Sequence, residues 1–163
     1  MRTLAMRLVL AIFAFLPGLI MASPKSESEI LLGAALPFAQ KMLEQYGEFY
    51  PYGAAMEGED GKIVSVAATT GAERPSPKEL IELLRGAFHQ GAREGKYRAT
   101  ALVYDALVVV PSSSEKSDAI AVALDHLGGY SVVVFLPYKL AEGRAVYGEL
   151  FVQEGDNIVF AQE

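Results

Sequence analysis

The side chains that could do chemistry fall almost entirely within one apolar stretch. Asp105 interrupts the run Ala99–Val110. Asp118, Asp125 and His126 follow in the next apolar segment, and Tyr104 and Tyr138 flank them. A carboxylate inside an apolar strand is driven toward its neutral form by desolvation. Such a group suits acid–base work or ligand binding, and a His and a phenol within reach could exchange a proton with it. The candidate polar site is therefore Asp105, His126 and Tyr138. The same residues have a structural reading. Asp105 then accepts from an Arg, Tyr or backbone donor of the first hairpin, and His126 is held at a strand end beside a turn. In that reading Asp105→Asn destabilises the fold by ~1–3 kcal/mol. A one-residue slip in strand register moves any of these groups to the other face of the sheet, so their convergence stays open.

Other chemistries find little support. The chain of 163 residues has no Cys and two His, which removes thiolate nucleophiles and Cys-based zinc sites and leaves any metal site to carboxylates. No Gly-rich phosphate loop or nucleophile elbow is present, and no cofactor or metal is expected. Ser112–Ser114 has no activating base in a recognisable motif and reads as a loop. The acidic tip Glu57, Glu59, Asp60 lacks the ligand spacing of a calcium loop and reads as a solvated turn.

The elements that must position these groups begin after a leader. Met1–Arg7 is basic, Leu8–Ile20 is apolar, and Met21-Ala22-Ser23 offers small residues for cleavage, the pattern of a secretory signal peptide. The apolar run is shorter than a spanning helix needs and contains Pro17-Gly18, so no membrane span is expected after cleavage at Ala22–Ser23. The organisation is then residues 1–22 as signal peptide, 23–28 as linker and 29–163 as one domain, exported to the periplasm or beyond. Removing residues 1–22 takes away Arg2 and Arg7 and no acid, so the formal charge of −6 becomes −8. That balance argues against nucleic acid and anionic lipid surfaces and suits a soluble protein, or one that meets a basic partner.

Within the domain, Ser26 with Glu29 has capping-box spacing, and Leu31, Ala35, Phe38, Met42 and Tyr46 recur on one helix face, with Pro37 expected to kink or split the helix. Phe49–Met56 and Lys62–Thr69 flank the Asp60-Gly61 turn as a hairpin. Ser76, Pro77 and Glu79 open a second helix with the stripe Leu80, Leu83, Leu84, Ala87, Phe88, Gly91. A meander of Arg98–Val110, Ser117–Leu127, Tyr130–Leu136, Arg144–Val152 and Ile158–Phe160 follows. Symmetric closure of the loop 111–116 places Asp105 opposite Val122 or Ala123. Ala119, Ala121 and Ala123 share a face that a helix is expected to cross. The fold class is α+β, one antiparallel sheet of about five to seven strands with two helices in the order α-β-β-α followed by strands.

Phe49-Tyr-Pro-Tyr-Gly53, Asp60-Gly61, Tyr104-Asp105, Lys116-Ser-Asp-Ala-Ile120, Leu124-Asp-His-Leu-Gly128 and Phe135-Leu-Pro-Tyr138, taken in order, resemble a group of small uncharacterised bacterial domains. The resemblance spans about residues 29–161 and implies that these motifs belong to one domain. It implies no activity. Members of that group are largely cytoplasmic in appearance, and the leader is a departure from them. The function expected is a non-enzymatic module that binds a protein partner or itself through its sheet face or edge. The alternative is a small hydrolase or ligand-binding enzyme using Asp105, His126 and Tyr138.

Overall fold

The computed structural model describes residues 22–161 except Glu59. The leader expected over residues 1–22 therefore lies, but for Ala22, outside the described residues. The elements are α1 (Pro24–Tyr46), β1 (Tyr52–Glu57), β2 (Ile63–Val66), α2 (Pro77–Arg93), β3 (Tyr97–Val109), β4 (Lys116–His126), β5 (Ser131–Ala141), β6 (Arg144–Tyr147) and β7 (Phe151–Glu154). They form one antiparallel seven-stranded sheet in the order β2-β1-β3-β4-β5-β6, with β7 also on β5. The α+β class and the element order are those expected from sequence. The helices lie on opposite faces, α1 over the core of β1, β3, β4 and β5, α2 over β1 and β3.

Helix α1 starts earlier than the Ser26–Glu29 pattern implies. Ser23 is the cap, its hydroxyl accepting from the Ser26 amide, and Pro24 takes the first helical position, where a missing N–H costs nothing. The buried stripe is Leu31, Ala35, Ala39 and Leu43, every fourth residue, rather than one through Phe38 and Tyr46. Phe38 and Tyr46 are exposed. Two alanines at the contact let the helix sit close to the sheet. Tyr52 fixes this choice: its hydroxyl accepts from the Ala39 amide at 3.0 Å and donates to the Ala35 carbonyl at 2.7 Å. A phenol thus stands inside the helical ladder beside Pro37, and one helix continues through it. Burial pushes this phenol up to about 12, outweighing the Ala39 amide.

Helix α2 has Ser76 at its cap position and Pro77 first, as its sequence predicts, but the Ser76 hydroxyl makes no capping hydrogen bond, so the box expected with Glu79 is not formed. The helix buries Leu80, Leu84, Phe88 and Gly91. Leu83, placed on the stripe by spacing, is half exposed. Gly53 is what lets Phe88 reach the sheet, since a Cβ at Gly53 would stand 2.4 Å from the ring.

The strands differ from the expected meander in four places. The first turn is Pro111–Ser114, closed by the Val110 amide on the Glu115 carbonyl, so Lys116 already belongs to β4 and Asp105 faces Ile120 rather than Val122 or Ala123. β5 runs through Pro137 to Ala141 instead of stopping at Leu136. The Pro137 carbonyl accepts from Gly148 on the outer side, so its missing N–H also points outward, into the gap between β6 and β7. That gap divides the single strand expected over Arg144–Val152. Finally, Ile158–Phe160 is a turn. Its backbone is captured by side chains, the Val159 amide on Asp125 and the Asn157 amide on Ser131, and Val159 is pressed against the α2 cluster.

The alanine face of β4 meets a helix only at one end. Helix α1 crosses the bulky face of Ile120, Val122 and Leu124. Of the three alanines on the opposite face, Ala123 packs against the α2 cluster with Leu84 and Phe88. Ala119 and Ala121 instead lie under Phe135, with Tyr104, Ala106, Val108, Val133 and Phe151 around them, and among the described residues no helix residue joins that cluster.

Candidate functional site

The register decides which candidate groups meet. Facing pairs share a side of the sheet, and Ala99 faces His126 while Asp105 faces Ile120. Residues 99 and 105 are an even number of positions apart, so Asp105 and His126 are on the same, α1-side face. They stand six residues apart along β3, about 20 Å. Tyr138 faces Asp118, and its side chain reaches diagonally to Asp105. The structure therefore brings Asp105 and Tyr138 together and leaves His126 at the far end of the sheet. The three-way convergence on which the enzyme alternative depends is not formed.

At the Asp105 end, the Tyr138 hydroxyl donates to Oδ1 of Asp105 at 2.9 Å. The acceptor reading of Asp105 holds, but the donor comes from β5 and not from the first hairpin. Asp105 is also exposed, contrary to a buried carboxylate. Desolvation raises its pKa, the Tyr138 bond works against that, and the neighbouring Asp118 charge adds to it. Burial, the bond to Asp105 and the charges of Asp105 and Asp118 push the Tyr138 phenol far above its ordinary range. It is a donor at any physiological pH. A shallow cleft of about 280 Å³ opens beside it, lined by Ser112, Lys116, Ser117, Tyr138 and Tyr147 among others.

These facts revise the effect of Asp105→Asn. The Asn carbonyl still accepts from Tyr138, and the charge that desolvation opposes is gone. At neutral pH the variant should stay within about 1 kcal/mol of wild type or gain slightly. The sign with pH follows from linkage. A carboxyl whose folded pKa is raised holds its proton better when folded, so its contribution is greatest below the unfolded pKa and falls as pH rises through the folded one. Wild type should thus gain on the variant as pH drops into the carboxylate range. Urea unfolding of both proteins at neutral and acid pH measures this, and a loss of about 2 kcal/mol at neutral pH would show instead that the charge holds the site together.

At the His126 end the partners come from far away in the chain. Glu27, in the first turn of α1, takes Arg98 Nη2 on Oε1 at 2.7 Å and His126 Nε2 on Oε2 at 2.8 Å. The Gly128 amide donates to His126 Nδ1 at 2.8 Å, which sets the tautomer with the proton on Nε2, aimed at Glu27. Arg98 Nη1 donates to the Gly58 carbonyl. Glu27 and His126 are 9% and 7% exposed. Both imidazole nitrogens are occupied, so the arrangement has no free base to offer a substrate. It is a clamp that ties the start of α1 to the ends of β3 and β4. Spacing could have revealed Glu27, because it lies four residues before Leu31 and so continues the buried stripe Leu31, Ala35, Ala39, Leu43. Arg98 gives no comparable signal.

Among the described residues no three His, Asp or Glu side chains gather where they could hold a metal ion, and no helix is long and apolar enough to cross a membrane. Comparison with known proteins finds no matching family model, no matching curated protein and no matching solved structure.

The remaining feature is a surface. On the α2 side, the helix and the Val159–Phe160 turn cover the half of the sheet around Ala55 and Leu102. The other half presents Tyr104, Ala106, Val108, Val133 and Phe151, all partly exposed, around a floor of Ala119 and Ala121. Phe135 and Phe151 stack with their centroids 5.1 Å apart and wall one side. Tyr104 stands at the α2 side, where Arg85 draws its pKa down against the larger upward effect of burial.

Proposed function

We propose that the protein is an exported, non-enzymatic binding module whose α2-side sheet face receives a helical segment of another protein. The observation that carries this is the apolar cluster around Ala119, Ala121 and Phe135, which no helix among the described residues covers while α2 covers the adjoining half. Four strands by about five residues give a footprint of roughly 19 by 17 Å, on the order of 300 Å², with partly exposed side chains at its rim around the buried Ala119, Ala121 and Phe135. A small-residue floor beside a helix already in place suits a second helix laid next to it. The net charge of −8 without residues 1–22 favours a partner whose outer face is basic. Export is the reading of the basic and apolar segments at the chain's start.

Phe151→Lys tests the reading, since it puts a charge on the wall of the patch at a partly exposed position. The mature protein and the variant are compared for capture of envelope proteins and for residue-specific photocrosslinking from position 108. Expected is a crosslink to a basic helical segment that Phe151→Lys abolishes, with the urea midpoint nearly unchanged and with Leu83→Lys, on α2 away from the patch, having no effect. Crosslinks that persist unchanged in Phe151→Lys, or none at all, remove the reading.

A further inference from the structure

Beyond that face, the sheet also has an edge that is unpaired among the described residues. β3 pairs with β4 over Ala99–Val109, but its pairing with β1 ends where Tyr52 meets Val103. Among the described residues nothing pairs with the outer edge of Asp105–Val109. The hydrogen-bond phase can be read from the ends of the β3–β4 ladder, where the Leu127 amide donates to the Arg98 carbonyl and the Val110 amide to the Glu115 carbonyl. Even-numbered residues of β3 therefore bond to β4. Asp105, Leu107 and Val109 turn their N–H and C=O groups to the open side. Their side chains point to the α1-side face, where Leu107 is 67% and Val109 54% exposed. A projecting strand with free backbone groups and exposed apolar side chains is a template for another strand.

We propose that this edge pairs with the same edge of a second copy, antiparallel, with the two-fold axis at Leu107. Three features of the register favour a second copy as the occupant. The free segment Asp105–Val109 is centred on Leu107, so two-fold pairing uses all of it and puts Leu107 against its own mate. Like charges do not meet, because Asp105 of each copy falls opposite Val109 of the other. Val109 in turn faces Lys116 across β3–β4, so on one face the row reads Asp105, partner Val109, partner Lys116. The Lys116 ammonium lies two strands, about 10 Å, from the opposing Asp105 at the backbone and can reach over Val109 toward it. The pairing joins two seven-stranded sheets into one. Such an edge covers less than the about 800 Å² a side of a standard interface, so the dimer forms with concentration and is not obligate.

The absence of native Cys makes the register directly testable. Hydrogen-bonded antiparallel partners stand about 5.5 Å apart at Cα, within disulfide range. Mature wild type is run by sedimentation velocity over a wide concentration range, and single Cys variants at 105, 107, 109 and 83 are oxidised in parallel. Expected are a concentration-dependent dimer, its loss in Leu107→Lys, and crosslinking of Leu107→Cys well above that of Leu83→Cys. Leu107 is surface-exposed, so folding of these variants is not in question. A wild type that stays monomeric at every concentration, a dimer that survives Leu107→Lys, or crosslinking stronger at 105 or 109 than at 107 overturns the proposal. Phe151→Lys leaves this edge intact, so the dimer and the face-bound partner fail separately.

Discussion

Glu27→Ala should destabilise the protein by about 3 kcal/mol, the cost of leaving a mostly buried charge unpaired. One carboxylate serves two donors, Arg98 and His126, and both belong to strands that close the end of the sheet. Removing it leaves the Arg98 guanidinium, 29% exposed at its side chain, without its anion, and the His126 Nε2 proton without an acceptor. The first turn of α1 also loses its anchor, although the Ser23 cap remains. The sign of the effect separates loss of attraction from loss of compensation. If the cost is mainly the uncompensated cation, Arg98→Met added to Glu27→Ala should recover part of it, because an apolar side chain of similar length needs no partner. Urea unfolding of the two single variants and the double variant at equal slope reads this out. A Glu27→Ala protein as stable as wild type would mean that the clamp contributes no net stability.

That clamp also shows where sequence reading stops. His126 could be singled out because a His between an apolar strand and a Gly-Gly turn is conspicuous, yet its partner is 99 residues away. Local spacing carries no information about which helix end reaches a given strand end. The same limit explains the α1 stripe. Phe38 and Ala39 are both apolar neighbours, and helical spacing accepts either three or four residues after Ala35. Tyr52 decides between them by placing its hydroxyl on Ala35 and Ala39, a contact made by tertiary structure alone. Ile158–Phe160 has strand composition, but Asp125 and Ser131 take up the backbone groups a ladder would need.

The parts that were legible are those with strong local signals. Pro77 behind Ser76, Asp60-Gly61 between two apolar runs, and the unbroken β-branched run of β3 each specify their element without help from distant residues. The free edge of β3 lies between these cases. The length of β3 can be read from its own composition, whereas the point at which β1 leaves it depends on where the chain arrives from α1. Asp105 stood out because it broke the apolar run. Its position just past the last β1 pair gives that break a physical reason: a carboxylate is tolerated there because it keeps contact with water.

Phe88→Ala should cost about 4 kcal/mol, the transfer and cavity terms of a fully buried aromatic side chain. Phe88 belongs to the only helix on its face among the described residues, and it sits against Gly53 of β1 with room for no Cβ between them. Gly53→Ala alone should therefore also destabilise, by about 1–3 kcal/mol, since its methyl would collide with a ring locked in the core. In combination the two changes interact. The methyl at position 53 enters the space the ring has left, so the double variant should be more stable than the sum of the single costs predicts, by about 1–2 kcal/mol. A double-mutant cycle in urea gives the coupling directly. Strict additivity would show that α2 shifts to fill the hole by itself. The coupled result would mean that α2 is held in register on its half of the sheet by the fit of Phe88 against Gly53.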